Sequence, residues 1–262
     1  AAACSTPCFI QLKRRIQAGK EAQRPMEELL FGGIRMEICQ AHFRVSTDSM
    51  VLADFCRIRP RSRVLDLGCG CGTLSLLALG AHPDILVDGV EIQPEAAQQA
   101  RENASRNALA GRMRVICGDL RQPNAEIAPG SYNCVISNPP YYPLQSGRTR
   151  TQDTLAIARS ECCCTLAELC SAAARALTWG GRFFLVHKPE RLTDLLVSLR
   201  QSRLEPKRIR FVRHQAESGV SLVLLEACLG GRPGLQYEPD LILYDDAGQE
   251  TAACRRIYHR QE

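Results

Sequence analysis

The sequence predicts an α/β protein: a doubly wound, mostly parallel seven-stranded sheet with a terminal antiparallel hairpin and a small N-terminal cap. Three observations carry this expectation. From residue 63 onward, short apolar runs alternate with amphipathic stretches, the pattern of successive βαβ units. Several of these runs close on Asp-Leu-Gly, Glu, Gly-Asp or Asn, residues that end strands and line one edge of such a sheet. The last two runs are separated only by residues 214–219, too few for a crossover, so at least one strand runs antiparallel.

Residues 1–30 are polar with weak periodicity and are expected to be loosely held. Phe31-Gly32-Gly33 signals a turn, residues 34–38 alternate as a strand does, and residues 43–45 are the expected return strand. Ser46 or Thr47 then caps a helix running through Phe55. Residues 31–60 would thus form a hairpin-and-helix cap, and residues 61–262 the main domain. The seven strands of that domain are read at 63–67, 85–90, 113–117, 132–137, 182–187, 208–212 and 220–228. Helices fall between them at 73–79, 94–107, 166–177 and 192–200, with Gly180-Gly181 as a turn. After Gly230 a loop leads to a short apolar run at 241–244.

Composition narrows the class. With 262 residues, 45% apolar and 23% charged, the chain is an ordinary globular one, long enough to bury a core without staples. No window approaches the roughly 18 uninterrupted apolar residues of a membrane span, and the N-terminus does not read as a secretory signal. Of 14 cysteines, Cys56, Cys117, Cys134 and Cys170 sit in apolar patterns, where Cys acts as a small core residue. Cys162-Cys163-Cys164 lacks paired CxxC units, and Cys69 and Cys71 have no partner pair downstream, so no metal is expected. A reducing cytoplasm is the expected compartment. The net charge of +5, with basic residues gathered at Arg200, Arg203, Lys207, Arg208, Arg210 and Arg213, permits a nucleic-acid partner without demanding one.

Three motifs carry chemistry. The first is Asp66-Leu67-Gly68-Cys69-Gly70-Cys71-Gly72, a glycine loop between strand and helix that lets backbone approach a ligand. A dinucleotide loop would need Gly where Thr73 stands, and Asp66 would repel a pyrophosphate while suiting a cationic amino-acid group. The second is an array of strand-end residues. Glu91-Ile92, beginning 19 residues after Gly72, supplies a carboxylate for the two hydroxyls of a ribose, and Asp119-Leu120 closes the next strand.

The third motif, Asn138-Pro139-Pro140-Tyr141, directly follows the fourth strand. Two prolines fix the backbone and remove two N–H donors, leaving carbonyls and the Asn138 side-chain oxygen as acceptors. A planar amino group has its lone pair delocalised and is a poor nucleophile. Hydrogen bonds to the Asn138 oxygen and the Pro139 carbonyl would pull it toward tetrahedral geometry and free that lone pair for attack on an electrophilic methyl. Tyr141 offers a face for a flipped base.

These motifs resemble those of the class I S-adenosylmethionine-dependent methyltransferases, which are Rossmann-like, and the NPPY pattern resembles that of the amino-directed members. Residues 43–52 (FRVSTDSMVL), Phe31 to Arg35 and Ala158-Arg159-Ser160-Glu161 are similar to segments of bacterial adenine-N6 methyltransferases that modify valine tRNA beside the anticodon, although Ser160 stands where His is expected. The resemblance covers roughly residues 30–258. It implies S-adenosyl-L-methionine as cofactor, bound by Asp66, Gly68, Gly70, Gly72, Glu91, Ile92, Asp119 and Leu120, with Asp119 facing the adenine amine. It implies Asn138, Pro139, Pro140 and Tyr141 at the reacting centre, with Thr47 and Asp48 near the cofactor or the target base. Arg148, Arg150 and Arg159 are candidate substrate contacts, the first two because they follow the NPPY loop. The expected reaction is methylation of the exocyclic N6 amine of adenine in structured RNA, tRNA above all, with no membrane partner. Two alternatives stand: glutamine N5 methylation of a protein factor, and a non-catalytic RNA-binding protein on the same scaffold.

Overall fold

The computed structural model describes residues 26–29, 33–38, 46–122, 124–139 and 164–258. In chain order the elements are β1 (Met26–Leu29), β2 (Arg35–Ile38), α1 (Thr47–Phe55), β3 (Arg63–Leu67), α2 (Thr73–Ala81), β4 (Leu86–Glu91), α3 (Pro94–Arg106), β5 (Met113–Cys117) and β6 (Tyr132–Ser137). There follow α4 (Leu166–Ala176), β7 (Leu177–His187), a 3₁₀ turn (Pro189–Arg191), α5 (Leu192–Gln201), β8 (Leu204–Arg213), β9 (Val220–Leu229), β10 (Gln236–Ile242) and α6 (Ala252–Ile257).

The main sheet runs β10-β8-β9-β7-β6-β3-β4-β5. Its β7-β6-β3-β4-β5 portion is parallel, and β9 pairs antiparallel with both β7 and β8, which is the hairpin expected from the sequence. The chain lays β4 and β5 on one side of β3 and later β6 and β7 on the other, so the topological switch falls between β3 and β6. Side chains alternate between two cores. Val64, Cys134, Ile136, Phe184 and Val186 face α1, α2, α3 and α6, while Leu65, Val135, Phe183 and Leu185 face α4 and α5. Both faces are covered, which is why these strands read as nearly unbroken apolar runs.

The structure departs from the sequence reading in several places, among them an unexpected C-terminal helix, α6, and a β8 that starts at Leu204 rather than Arg208. The sheet has an eighth strand, β10, which pairs parallel with β8 at the sheet edge. Its polar composition and Pro239 hid it, since Pro is tolerated only at an edge or a bulge, and the register shifts between Glu238 and Leu241. Strand β7 begins at Leu177 rather than Arg182, because Gly180 (φ +79°) is absorbed in a register shift opposite β6. The hairpin strand pairing with β2 is β1, inside the segment expected to be loosely held, so Gly33 (φ +76°) turns the chain back toward residues 26–29; residues 43–45 lie outside the described residues. Cys117 is exposed, whereas Cys56, Cys134 and Cys170 are buried as expected.

The hairpin is docked by two asparagines one helical turn apart, Asn103 on α3 and Asn107 at its C-cap. Asn107 bonds both the N–H and the C=O of Arg35 (2.8 and 2.7 Å), and Asn103 does the same for Glu37 (2.9 and 3.0 Å). These amides complete the free edge of β2 as a neighbouring strand would. Asn103, fully buried, also donates to the Cys71 carbonyl at 3.0 Å, joining the hairpin to the glycine loop.

Candidate active site

The carboxyl ends of β3, β4, β5 and β6 meet at the switch point. Gly68, Gly70 and Gly72 have φ of +75°, +55° and +90°, in the left-handed region that a Cβ disfavours. The N–H groups of Gly68 and Cys69 both donate to the Val90 carbonyl (2.9 and 3.0 Å), sewing the start of the loop to β4. Gly72 then forms the N-cap of α2.

Glu91 organises this edge. Its side chain is buried and accepts from Gly70 N–H on one oxygen and Gln93 N–H on the other, both at 2.9 Å. Its carbonyl accepts from Gly118 N–H at 2.9 Å, drawing the end of β5 alongside. Each carboxylate oxygen has a second lone pair, so the two backbone bonds orient the group without exhausting it as an acceptor.

Asp66 is buried and accepts from the Ser75 hydroxyl at 2.7 Å. Burial pushes its carboxyl up to about 7, with the Glu91 charge adding to the rise, against the lowering effect of the hydrogen bonds from Ser75. The other expected cofactor positions are less uniform. Ile92 is 41% exposed, an apolar surface beside Glu91. Leu120 packs its side chain on the α4-side core, and its carbonyl accepts from Arg175 at 2.8 Å. Asp119 is at the strand end, but its carboxylate is gripped by Arg121 through Nε (2.9 Å), Nη2 (2.6 Å) and the backbone N–H (2.9 Å). That partner holds its carboxyl below the usual carboxylate range.

Asn138 follows β6 immediately and is half-buried. Just before it, the Ser137 hydroxyl donates to the Leu67 carbonyl at 2.7 Å, fastening β6 to β3 where the glycine loop begins. The Asn138 Nδ2 donates to the Ser49 hydroxyl at 3.0 Å, across 89 residues of sequence. Ser49 stands in the first turn of α1, which Ser46 caps by accepting from Ser49 N–H at 3.3 Å. Thr47 and Asp48 occupy the same turn, and the Thr47 hydroxyl accepts from Tyr258 at 3.1 Å. The structure therefore brings together Asp66, the three glycines, Glu91 and the strand ends carrying Asp119 and Asn138, with Thr47 and Asp48 beside the last. Pro139 is described; Pro140, Tyr141, Arg148, Arg150 and Arg159 lie outside the described residues.

Sequence reasoning missed Ser49 and Ser75. The signal for Ser75 was a lone hydroxyl in the otherwise apolar TLSLLALGA helix, just after a strand carrying an Asp that needs a donor once buried. Among the described residues no group of three or more His, Cys, Asp or Glu is placed so that it could hold a metal ion.

Residues 40–201 match the profile of the methyltransferase small domain, well over half of the chain. The chain belongs to this methyltransferase family. The tRNA1(Val) (adenine(37)-N6)-methyltransferase of Yersinia enterocolitica is 35% identical over 176 residues, 66% of each chain. The same-named protein of Yersinia pestis (strain Pestoides F) is 34% identical over 66% of this chain and 67% of its own. The matched stretch thus spans about two thirds of these relatives. Among solved structures, a predicted O-methyltransferase from Agrobacterium tumefaciens superposes with a TM-score of 0.68 at 19% identity, over 81% of this chain and 96% of its own. Geranyl diphosphate C-methyltransferase from Streptomyces coelicolor A3(2), solved with Mg2+, geranyl diphosphate and S-adenosyl-L-homocysteine, gives 0.51 at 14% identity, over 69% and 78%. At these identities the two structures establish the methyltransferase fold. No helix among the described residues is long and apolar enough to cross a membrane.

Proposed function

We propose that this methyltransferase-family chain transfers a methyl group from S-adenosyl-L-methionine to the exocyclic N6 amine of adenine in tRNA, in the cytoplasm. The observation that carries the reading is the placement of Asn138-Pro139 at the switch point, beside the glycine loop and Glu91, in a chain whose relatives are named for that reaction. The residues present suit the cofactor: left-handed glycines leave the backbone bare, Glu91 offers an oriented pair of acceptors, and Ile92 offers an apolar face. When bound, the cofactor supplies an electrophilic methyl on a sulfonium centre. Glu91 would hold the ribose hydroxyls, Asp66 would favour the cationic amino-acid end, and Asp119 or its neighbours would meet the adenine edge. Asn138 Oδ1 and the Pro139 carbonyl would accept from the target amine and localise its lone pair. The proton of the methylated amine leaves after transfer, so no strong base is required.

Labelled cofactor incubated with total tRNA and with a release-factor fraction tests the assignment. N6-methyladenine in the tRNA nucleosides is expected; label in protein with none in tRNA would replace adenine by a glutamine amide. Most members of the basic cluster at 200–213 also have partners within the protein. Arg200 pairs with Glu205 (3.3 Å), Arg213 with Asp240 (2.6 Å), Arg210 donates to the Pro239 carbonyl (3.0 Å), Lys207 to that of Arg232 (3.0 Å), and Arg208 is buried. Arg148 and Arg150 remain the better candidates for phosphate contacts.

Glu91→Ala should weaken cofactor binding by about 1–3 kcal/mol, the cost of hydrogen bonds to a charged acceptor, as read by calorimetry. Asp66 gives a pH dependence. Its carboxyl is raised from 3.8 to about 7 in the fold. The bound proton therefore stabilises the folded state at acid pH, and that contribution is lost as pH rises from about 4 through about 7. Attraction for a cationic ligand runs the other way, so affinity should fall as pH drops from 8 to 6. Asp66→Asn should flatten this profile; an unchanged slope in the variant would remove Asp66 from cofactor binding.

A further inference from the structure

We infer that Ser49 is a positioning residue for the methyl transfer: its hydroxyl selects which end of the Asn138 amide faces the target amine. The inference rests on the assignment of Asn138 to the reacting centre. An asparagine side chain has two ends of nearly equal shape and opposite hydrogen-bonding sense, an oxygen that accepts and an NH2 that donates. Only the oxygen can draw on an amine N–H; a flipped amide would oppose donor to donor. Backbone geometry at Asn138 cannot distinguish the two, because the flip is a rotation about the last side-chain bond.

The distinction comes from α1. Ser49 is buried, and its oxygen lies 3.0 Å from Asn138 Nδ2. The Ser46 hydroxyl also points its donor at Ser49, at 3.4 Å. In this arrangement the Ser49 oxygen accepts from the NH2 end of Asn138, which turns the amide oxygen away from α1. The acceptor is itself rigidly placed. Its N–H is bonded to the Ser46 cap, while at the far end of α1 the Phe55 carbonyl accepts from the buried Arg208 at 2.8 Å. Both ends of the helix are thus fastened, so the oxygen cannot follow a flipping amide.

Four variants test this: Ser49→Ala, Ser49→Thr, Asn138→Ala and the Ser49→Ala/Asn138→Ala double. Ser49→Ala should lower kcat about tenfold, the worth of one ordinary hydrogen bond in a rate, with KM for tRNA and cofactor affinity unchanged. Ser49→Thr, which keeps the oxygen, should recover most of that loss. In the Asn138→Ala background, where no amide remains to orient, Ser49→Ala should change the residual rate by less than about twofold. Full activity of Ser49→Ala overturns the inference, and so does an equal tenfold loss in both backgrounds, which would mean that Ser49 acts independently of Asn138. Full activity of Asn138→Ala would instead overturn the underlying assignment, and that single variant keeps the two failures apart. Melting temperatures within a few degrees of the parent show that the fold is preserved.

Discussion

Replacing Asn138 by alanine should cut turnover about a hundredfold or more while leaving the fold and cofactor affinity intact. The magnitude is that of losing one hydrogen-bonding group that acts chiefly in the transition state. An amino nitrogen conjugated to a ring gains nucleophilicity only as its lone pair is localised, so on the proposed assignment its bonds to Asn138 Oδ1 and the Pro139 carbonyl would strengthen in the transition state. Ground-state binding gains little from them, and kcat should carry the loss rather than KM. The fold should survive because β6 is fastened elsewhere, by the Ser137–Leu67 bond and by pairing with β3 and β7. Single-turnover assays with saturating cofactor measure the effect directly. A variant that retains the parental rate would mean that the amine is activated elsewhere.

The largest stability effect is expected at Arg208. The residue is 5% exposed, and its guanidinium joins three segments distant in sequence: Glu226 on β9 (2.5 Å), Glu238 on β10 (2.7 Å) and the Phe55 carbonyl at the end of α1 (2.8 Å), while stacking 4.1 Å from the Phe55 ring. Among the described residues, Arg208→Ala would leave the buried Glu226 paired with Arg182 and Glu238 with Arg57, and would remove the donor to the Phe55 carbonyl. Breaking a buried charge network from one side costs about 3–5 kcal/mol. Arg208→Lys keeps the charge but loses the planar fork that reaches three acceptors, so it should recover part of the loss at most. Urea denaturation of the two variants measures both. A cost below about 1 kcal/mol for Arg208→Ala would show that β10 and α1 are held by apolar packing alone.

The two predictions concern residues of very different legibility. The proposal for Asn138 comes from local sequence: four consecutive residues after an apolar run suggest acceptors, missing donors and a stacking face. The glycine loop was readable for the same reason, since left-handed backbone is encoded one residue at a time. Strands β3, β5 and β6 matched the expected limits because buried parallel strands announce themselves as apolar runs. Arg208 was read only as one member of a surface cluster. Its burial depends on β10, and β10 is polar, carries Pro239 and exists because β8 offers it an edge.

The sequence by itself determined the fold class, the order of strands and helices from α1 to β9 and the position of the glycine loop, because each depends on residues within one turn or one strand of one another. Tertiary structure alone decided which asparagines complete the β2 edge, which segments Arg208 joins, and that Ser49 meets Asn138 across 89 residues. Those partnerships join side chains whose separation along the chain carries no periodic signal. They form because burying the sheet on both faces removes water from polar groups, and each such group must then find its partner wherever the fold has placed one.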